Sequence, residues 1–409
     1  MPPLAAFAVA APGLAPLVAD ELRGLGIAPT EVDEAGAAFD ATPEQLWRAN
    51  LWLRTASRVV VRLATFEART FSELERRARR VPWETVVAPG RAVRLRVTCR
   101  KSRLYHSDAV AERVADAVLR SVPGVVDVTS VRGADDDVES EGGEDAQLLV
   151  VRFLHDRCTI SADASGALLH RRGYREAVAQ APLRETLAAA LLLASGWDGR
   201  APLVDPLCGS GTIAIEGALL ARRVAPGRRR SFAFERWPGF DPARWEAVLA
   251  EADEGALPTA PGPIAASDRL AGAVRAARAN AERAGVTADV AFDVRAFESL
   301  QPPNAPGWIV TNPPYGKRVG DDAREVRSLW AKLGATLRAR CPGWHVALLT
   351  PDARLASAAA LPLRSVLATR NGGLAVQLNV GRIVAVAGAG RGARSASPAI
   401  HEPGGRGDG

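Results

Sequence analysis

Val204-Asp205-Pro206-Leu207-Cys208-Gly209-Ser210-Gly211-Thr212 decides how the second half of this chain is read. A short apolar run ends in an acid, two glycines follow one residue apart, and a helical apolar pattern opens at residues 213–223. That is a strand-to-helix turn of an α/β sheet. Glycines there let the backbone approach a ligand closely, and the helix start offers unpaired N–H groups. With Ala214 in the last position the segment also fits G-x-G-x-x-A, which alone speaks only weakly for a dinucleotide site. Such a site wants an acid about 20 residues beyond the glycines, whereas the first acid at a convincing strand end is Asp268. Asp205 would repel a diphosphate and suits a cationic amino-acid ligand instead. Gly209, Ser210, Gly211 and Thr212 are the residues placed to line it.

Working outward, helices alternate with short buried strands from residue 182 onward, the signature of a parallel α/β sheet. The spacing predicts helices over 183–195, 213–223, 271–284 and 323–340. Strands are expected at 203–205, up to 267–268, at 290–294, 308–311 and 345–350. Two further strands, 363–369 and 374–380, flank Asn371-Gly372-Gly373, a hairpin turn. The expectation is a seven-stranded, Rossmann-like sheet closed by a terminal β-hairpin.

The fourth of these strands runs into Thr311-Asn312-Pro313-Pro314-Tyr315-Gly316. Two prolines stiffen this loop at the carboxyl edge of the sheet, where open α/β sheets bind ligands. An exocyclic base amine is a poor nucleophile because its lone pair is delocalised into the ring. Acceptance of its two N–H bonds by the Asn312 side-chain oxygen and the Pro313 carbonyl favours a tetrahedral nitrogen with an aimed lone pair. Tyr315 offers a face for a flipped base. Such a site works by orientation and electrostatics more than by a strong base. A Pro-rich turn alone would be an equal reading of the tetrapeptide, but not 107 residues after Asp205 at a predicted strand end. S-adenosyl-L-methionine, which carries an ammonium and a sulfonium and no phosphate, is the cofactor that suits acids around a glycine loop.

The first half reads differently. A strand over 7–10, helices over 14–25 and 43–57 and a strand over 59–66 suggest a small α+β unit ending near residue 68. A second unit carries strands at 92–98, 147–154 and 157–163, a helix over 107–120 and an acidic excursion at 133–145. Between Arg54 and Arg103 stand fourteen Lys or Arg against four Glu. An excess of that kind attracts a phosphate backbone, although solvated helix faces in an arginine-rich chain explain the charge equally well. Arg100, Lys101, Arg103, Arg171 and Arg172 are the candidate contacts to such a backbone.

The 409 residues call for more than one core, and 47% hydrophobic with 24% charged residues is a globular composition. Four scattered cysteines form no metal or disulfide pattern, so no metal is expected and the thiols read as reduced. No apolar run reaches the ~20 residues of a membrane helix. The apolar start lacks a basic region and continues into helical spacing, so a cytoplasmic protein is expected, without membrane association or an obligate protein partner.

The order of glycine loop, Asp268 and Asn-Pro-Pro-Tyr resembles the class I S-adenosylmethionine-dependent amino-methyltransferases. The chain is more closely similar to the THUMP-domain RNA methyltransferases that make N2-methylguanosine in 23S ribosomal RNA or tRNA. The likeness is carried by Lys101-Ser102-Arg103-Leu104-Tyr105-His106, His170-Arg171-Arg172-Gly173-Tyr174-Arg175, Ala181-Pro182-Leu183-Arg184-Glu185-Thr186-Leu187-Ala188, residues 205–216 and residues 311–316. It implies ferredoxin-like (1–68), THUMP (69–165) and catalytic (166–387) domains, while the Gly-, Ser-, Arg- and Pro-rich tail (388–409) reads as disordered from its composition. By the resemblance Asp205, Gly209 and Gly211 line the cofactor and Asp268 holds its ribose, while Asn312, Pro313 and Tyr315 hold the target base. Two departures stand out: Leu270 replaces a second acid, and Ala296 stands where an acid meets the adenine amine, leaving Asp293 as the candidate. Ribosomal RNA is the favoured partner, with tRNA, adenine-N6 of DNA, or a non-catalytic RNA-binding role as alternatives.

Overall fold

Two sheets carry the chain in the computed structural model, which describes residues 3–131, 146–175, 183–316 and 322–384. The expectations for 133–145, 181–182 and 388–409 lie outside the described residues. In the first half the order is β1 (Leu4–Ala10), α1 (Ala15–Gly24), β2 (Pro29–Asp33), β3 (Gly36–Ala41), α2 (Pro43–Trp52) and β4 (Ala56–Glu67). There follow α3 (Phe71–Ala78), β5 (Val93–Arg100), α4 (Ser107–Ser121), β6 (Val128–Val131), β7 (Gln147–Leu154) and β8 (Arg157–Asp163).

These strands form one eight-stranded sheet in the order β2-β3-β1-β4-β8-β7-β5-β6. β4 makes it continuous. One edge of this 12-residue strand pairs with β1 and the other with β8, from Val60↔Asp163 to Glu67↔Arg157. Its first half thus pairs on one edge and its second half on the other, with Val60 and Val61 paired on both. The β2–β3 hairpin is absent from the sequence reading because 29–41 is rich in Ala and acids and has few β-branched residues. It is held by burial of Ala37, Phe39 and Ala41 against β1. β7 and β8 turn at His155-Asp156, both left-handed at φ 48° and 62°, the geometry of a two-residue hairpin.

The second half runs α5 (Glu185–Ser195), β9 (Leu203–Asp205), α6 (Thr212–Ala221), α7 (Pro242–Glu254), β10 (Ile264–Asp268), α8 (Ala271–Ala284) and β11 (Val290–Val294). It ends with β12 (Trp308–Thr311), α9 (Ala323–Arg340), β13 (His345–Thr350), α10 (Ala353–Ala358), β14 (Leu363–Asn371) and β15 (Leu374–Arg382). The seven strands lie in the order β11-β10-β9-β12-β13-β15-β14, the first five parallel and β15 antiparallel to both neighbours. Strand order reverses between β9 and β12, the switch point where such sheets open a ligand crevice. Asp205 ends one of these strands and Thr311 the other.

One apolar core runs from α1 and α2 into the second sheet. Trp47 of α2 packs on Phe234 and Trp245, with ring centroids 5.9 and 6.1 Å apart. α7 supplies Trp245, and its start signals were present in the sequence: Asp241 caps the Ala243 and Arg244 amides, with Pro242 behind it. The four cysteines are unbridged. Among the described residues no helix is long and apolar enough to cross a membrane.

Candidate active site

Asp205 is almost wholly buried (1% exposed) at the end of β9. Its Oδ1 accepts from Thr311 Oγ1 at 2.6 Å and from the Leu207 amide at 3.2 Å. Burial pushes this carboxyl up to about 7, with nearby Asp268 adding to the shift and the two donors opposing it. A buried acid so poised is half neutral near pH 7 and gains most from a cation placed against it.

The glycine loop is stitched to its neighbours. Cys208 N donates to the Ser267 carbonyl, Gly209 N to Asp268 Oδ2 at 3.1 Å, and Asn280 Nδ2 of α8 to the Ser210 carbonyl at 3.0 Å. The two glycines are required for different reasons. Gly209 is left-handed (φ 51°) and faces open space, with nothing within 4 Å of where a Cβ would stand. Gly211 (φ 84°) has no such opening: a Cβ there would stand 2.9 Å from Ala277 Cβ. Close packing on α8 is by itself a reason for glycine at 211, independent of any ligand. Thr212, the first residue of α6, accepts through Oγ1 from Arg175 Nη2 at 2.6 Å.

Asp268 is half-buried and also accepts from the Leu270 amide at 2.9 Å. Beside it two apolar side chains lie open, Leu270 at 57% and Val294 at 50% exposure, and Val294 is the cross-strand partner of Asp268. Asp293 is exposed and paired with Arg295 Nη2 at 2.7 Å. Ala296 lies two residues beyond β11 and caps a short 3-10 turn, Phe297–Ser299.

At the other side of the switch point, Tyr315 Oη donates to Asn312 Oδ1 at 2.6 Å and accepts from Asn371 Nδ2 at 3.1 Å. Trp330 Nε1, fully buried on α9, donates to the Pro314 carbonyl at 3.0 Å. Pro313 is buried and Pro314 exposed. The loop is therefore held from α9 and β14 and by a bond of its own. Sequence reasoning had not singled out Thr311, Trp330 or Asn371. Thr311 could have been found as the polar strand-end residue facing Asp205, whereas Asn371 was explained by turn chemistry alone.

The predicted RNA contacts divide. Arg100, Lys101, Arg103 and Arg171 are exposed. Arg172 is 3% exposed and is corrected. Its guanidinium donates to the Leu169 and Arg54 carbonyls and lies 3.7 Å from buried Glu216 of α6, which also accepts from Tyr174 Oη at 3.0 Å. Those bonds hold the connector to the helix behind the glycine loop and leave no face for a phosphate. Within the basic stretch, Arg54, Arg58 and Arg96 are likewise buried.

Strand order, glycine loop and strand-end acids together define the class I methyltransferase fold, preceded here by ferredoxin-like and THUMP domains. Three known families match: the RlmL ferredoxin-like domain over residues 5–60, the THUMP domain over 68–132, and the RMKL-like methyltransferase domain over 172–376. The chain belongs to the RMKL-like methyltransferase family. It is 33% identical over 370 residues to slr0064 of Synechocystis sp., provisionally named an RNA methyltransferase, covering 90% of this chain and 94% of that one. To the ribosomal RNA large subunit methyltransferase K/L of Syntrophotalea carbinolica it is 39% identical, covering 92% of this chain and 53% of the relative. The chain thus spans about half the length of the K/L relatives it matches. The solved structure of SMU.472, provisionally described as a methyltransferase and complexed with SAH, superposes with a TM-score of 0.81 at 29% identity, covering 94% of this chain and 99% of that one.

Proposed function

We propose that this chain transfers a methyl group from S-adenosylmethionine to the N2 amine of a guanosine in RNA, with large-subunit ribosomal RNA the favoured substrate and tRNA second. The observation that carries the reading is the union of the two motifs at one switch point, where Thr311 binds Asp205 and Asn312 follows it directly. The residues present suit the cofactor. Asp205 offers a buried carboxyl for a cation, Gly209 an open backbone, Asp268 acceptors for ribose hydroxyls, and Leu270 with Val294 an apolar bed for a base. With Asp293 turned to Arg295, that bed is the better candidate for adenine contact on this side. We likewise take 1–68, 69–165 and 166–387 as the three domains of a cytoplasmic enzyme, the first two sharing one sheet.

When bound, the cofactor supplies an electrophilic methyl on a sulfonium. Asn312 Oδ1 already accepts one bond from Tyr315, and its second lone pair is available to an amine N–H. The Pro313 carbonyl takes the other. Held by these two acceptors, a guanine N2 would present its lone pair to that methyl and would afterwards give up an amine proton to solvent. Stiffness from Pro313, Pro314 and the Trp330 bond holds the acceptors before the base arrives, so little ordering remains at the moment of reaction.

The test is methylation of ribosomal RNA, tRNA and DNA with labelled cofactor, followed by nucleoside analysis. N2-methylguanosine in RNA is expected, with Asn312→Ala abolishing transfer while still binding cofactor. N6-methyladenine in DNA, or undiminished transfer by Asn312→Ala, would overturn the reading.

A further inference from the structure

The loop joining β5 to α4 carries Arg100, Lys101, Arg103, Tyr105 and His106 within seven residues. It is fixed from below. Lys101 is left-handed (φ 47°), Ser102 Oγ donates to the Arg100 carbonyl at 2.9 Å and accepts from the Asp156 amide at 3.0 Å, and Asp156 Oδ1 accepts from Arg103 N at 2.7 Å. Leu104 is buried and pins the loop to the apolar core beneath it.

On this rigid base Tyr105 is 65% exposed, the one aromatic ring among the exposed large apolar side chains of the described residues. Its ring lies 4.0 Å from that of His106, also exposed, with planes tilted by 41°. Arg100, Lys101 and Arg103 stand two to five residues before it and are exposed. An open ring among cations is complementary to a single nucleic-acid strand: base faces stack on the ring while phosphates meet the cations. A duplex buries its base faces in its own stack and cannot use the ring.

We propose that Tyr105, backed by His106, is a stacking platform for an unpaired base of the RNA substrate, with Arg100, Lys101 and Arg103 holding the flanking phosphates. The inference rests on the RNA reading above and adds a single-stranded contact on the N-terminal sheet, apart from the Asn312 loop.

The experiment uses the full chain and a short RNA bearing 2-aminopurine, single-stranded or annealed to its complement. Wild-type protein should prefer the single strand and alter 2-aminopurine fluorescence by stacking. Tyr105→Phe should stay within about twofold, whereas Tyr105→Ala should lose on the order of tenfold in single-strand affinity, with duplex affinity and salt slope unchanged. Arg103→Ala should instead flatten the salt slope by about one. Tyr105→Ala matching the wild type in affinity and fluorescence, while the wild type still methylates RNA, overturns the platform alone. Wild-type protein that binds no RNA overturns both the platform and the reading beneath it.

Discussion

Thr311 Oγ1 donates to Asp205 Oδ1 at 2.6 Å, and this single bond ties together two motifs that lie 106 positions apart. Adjacent strands β9 and β12 end side by side, so the acid of the glycine loop and the residue preceding Asn312 share one hydrogen bond. The glycine loop and the Asn-Pro-Pro-Tyr loop, the proposed cofactor and acceptor sides, are thereby fixed relative to each other by the sheet itself.

As the proposed partner of the cofactor's cation, Asp205 should make cofactor affinity depend on pH. Burial holds its carboxyl at about 7, so below that pH the free protein carries it protonated. A cationic ligand pairs with the ionised form, which places the bound pKa below the free one. Affinity should be full above about pH 7 and fall as pH drops through it, by up to tenfold per unit. For the unliganded fold the raised pKa means this group's contribution is best below about pH 4 and declines towards 7. Calorimetry with S-adenosylmethionine in two buffers of different ionisation enthalpy reads both affinity and the proton released. Thr311→Val removes a donor that lowers the pKa, so the midpoint should move upward. A flat profile would exclude ionised Asp205 as the ligand's partner.

Tyr315 combines a ring and a hydroxyl that can be separated. Tyr315→Phe keeps the stacking face but removes the bond to Asn312 Oδ1, so kcat should fall about tenfold with KM for RNA little changed. Asn371→Ala frees the same hydroxyl from the far side and should give a smaller loss in the same direction. Steady-state kinetics on one RNA substrate separates the cases. A rise in KM at constant kcat would assign the hydroxyl to substrate binding instead.

Much of this was legible in the sequence because it is local. The bounds of β7, β8, β9, β11 and α8 follow from apolar periodicity, and the Asn-Pro-Pro-Tyr loop from its own letters. What escaped was set by distant partners. The β2–β3 hairpin has little β-propensity and exists because β1 offers an edge and a core. Arg172 looked like its exposed neighbour Arg171 until Glu216 and two carbonyls enclosed it. Trp330 and Asn371 meet the acceptor loop only once α9 and the terminal hairpin have folded over the sheet.

The glycines should separate stability from binding. Gly211→Ala forces a side chain into left-handed backbone, at about 1–2 kcal/mol, and against Ala277 as well. It should lower the unfolding temperature markedly. Gly209→Ala carries the backbone term alone, because its Cβ meets nothing within 4 Å. Its larger effect should fall on cofactor affinity, through the Cβ it adds to the open face of the loop. Thermal unfolding with and without S-adenosylmethionine measures both, and equal destabilisation by the two variants would refute the distinction.

The two arginines of the connector give the last contrast. Arg172→Met removes the ion-pair partner of buried Glu216, leaving Arg54 as the remaining nearby cation, and should destabilise the protein by about 3 kcal/mol. Adding Glu216→Gln to that variant removes the uncompensated charge and should restore part of the loss. Arg171 is exposed, and Arg171→Ala should leave the unfolding midpoint nearly unchanged while weakening RNA binding in low salt. Denaturant unfolding and salt-dependent RNA titrations on the four proteins provide both readings. If Arg172→Met were as stable as wild type and lost only RNA affinity, the enclosed guanidinium would have to leave Glu216 to meet phosphate, and the connector would be an RNA contact after all.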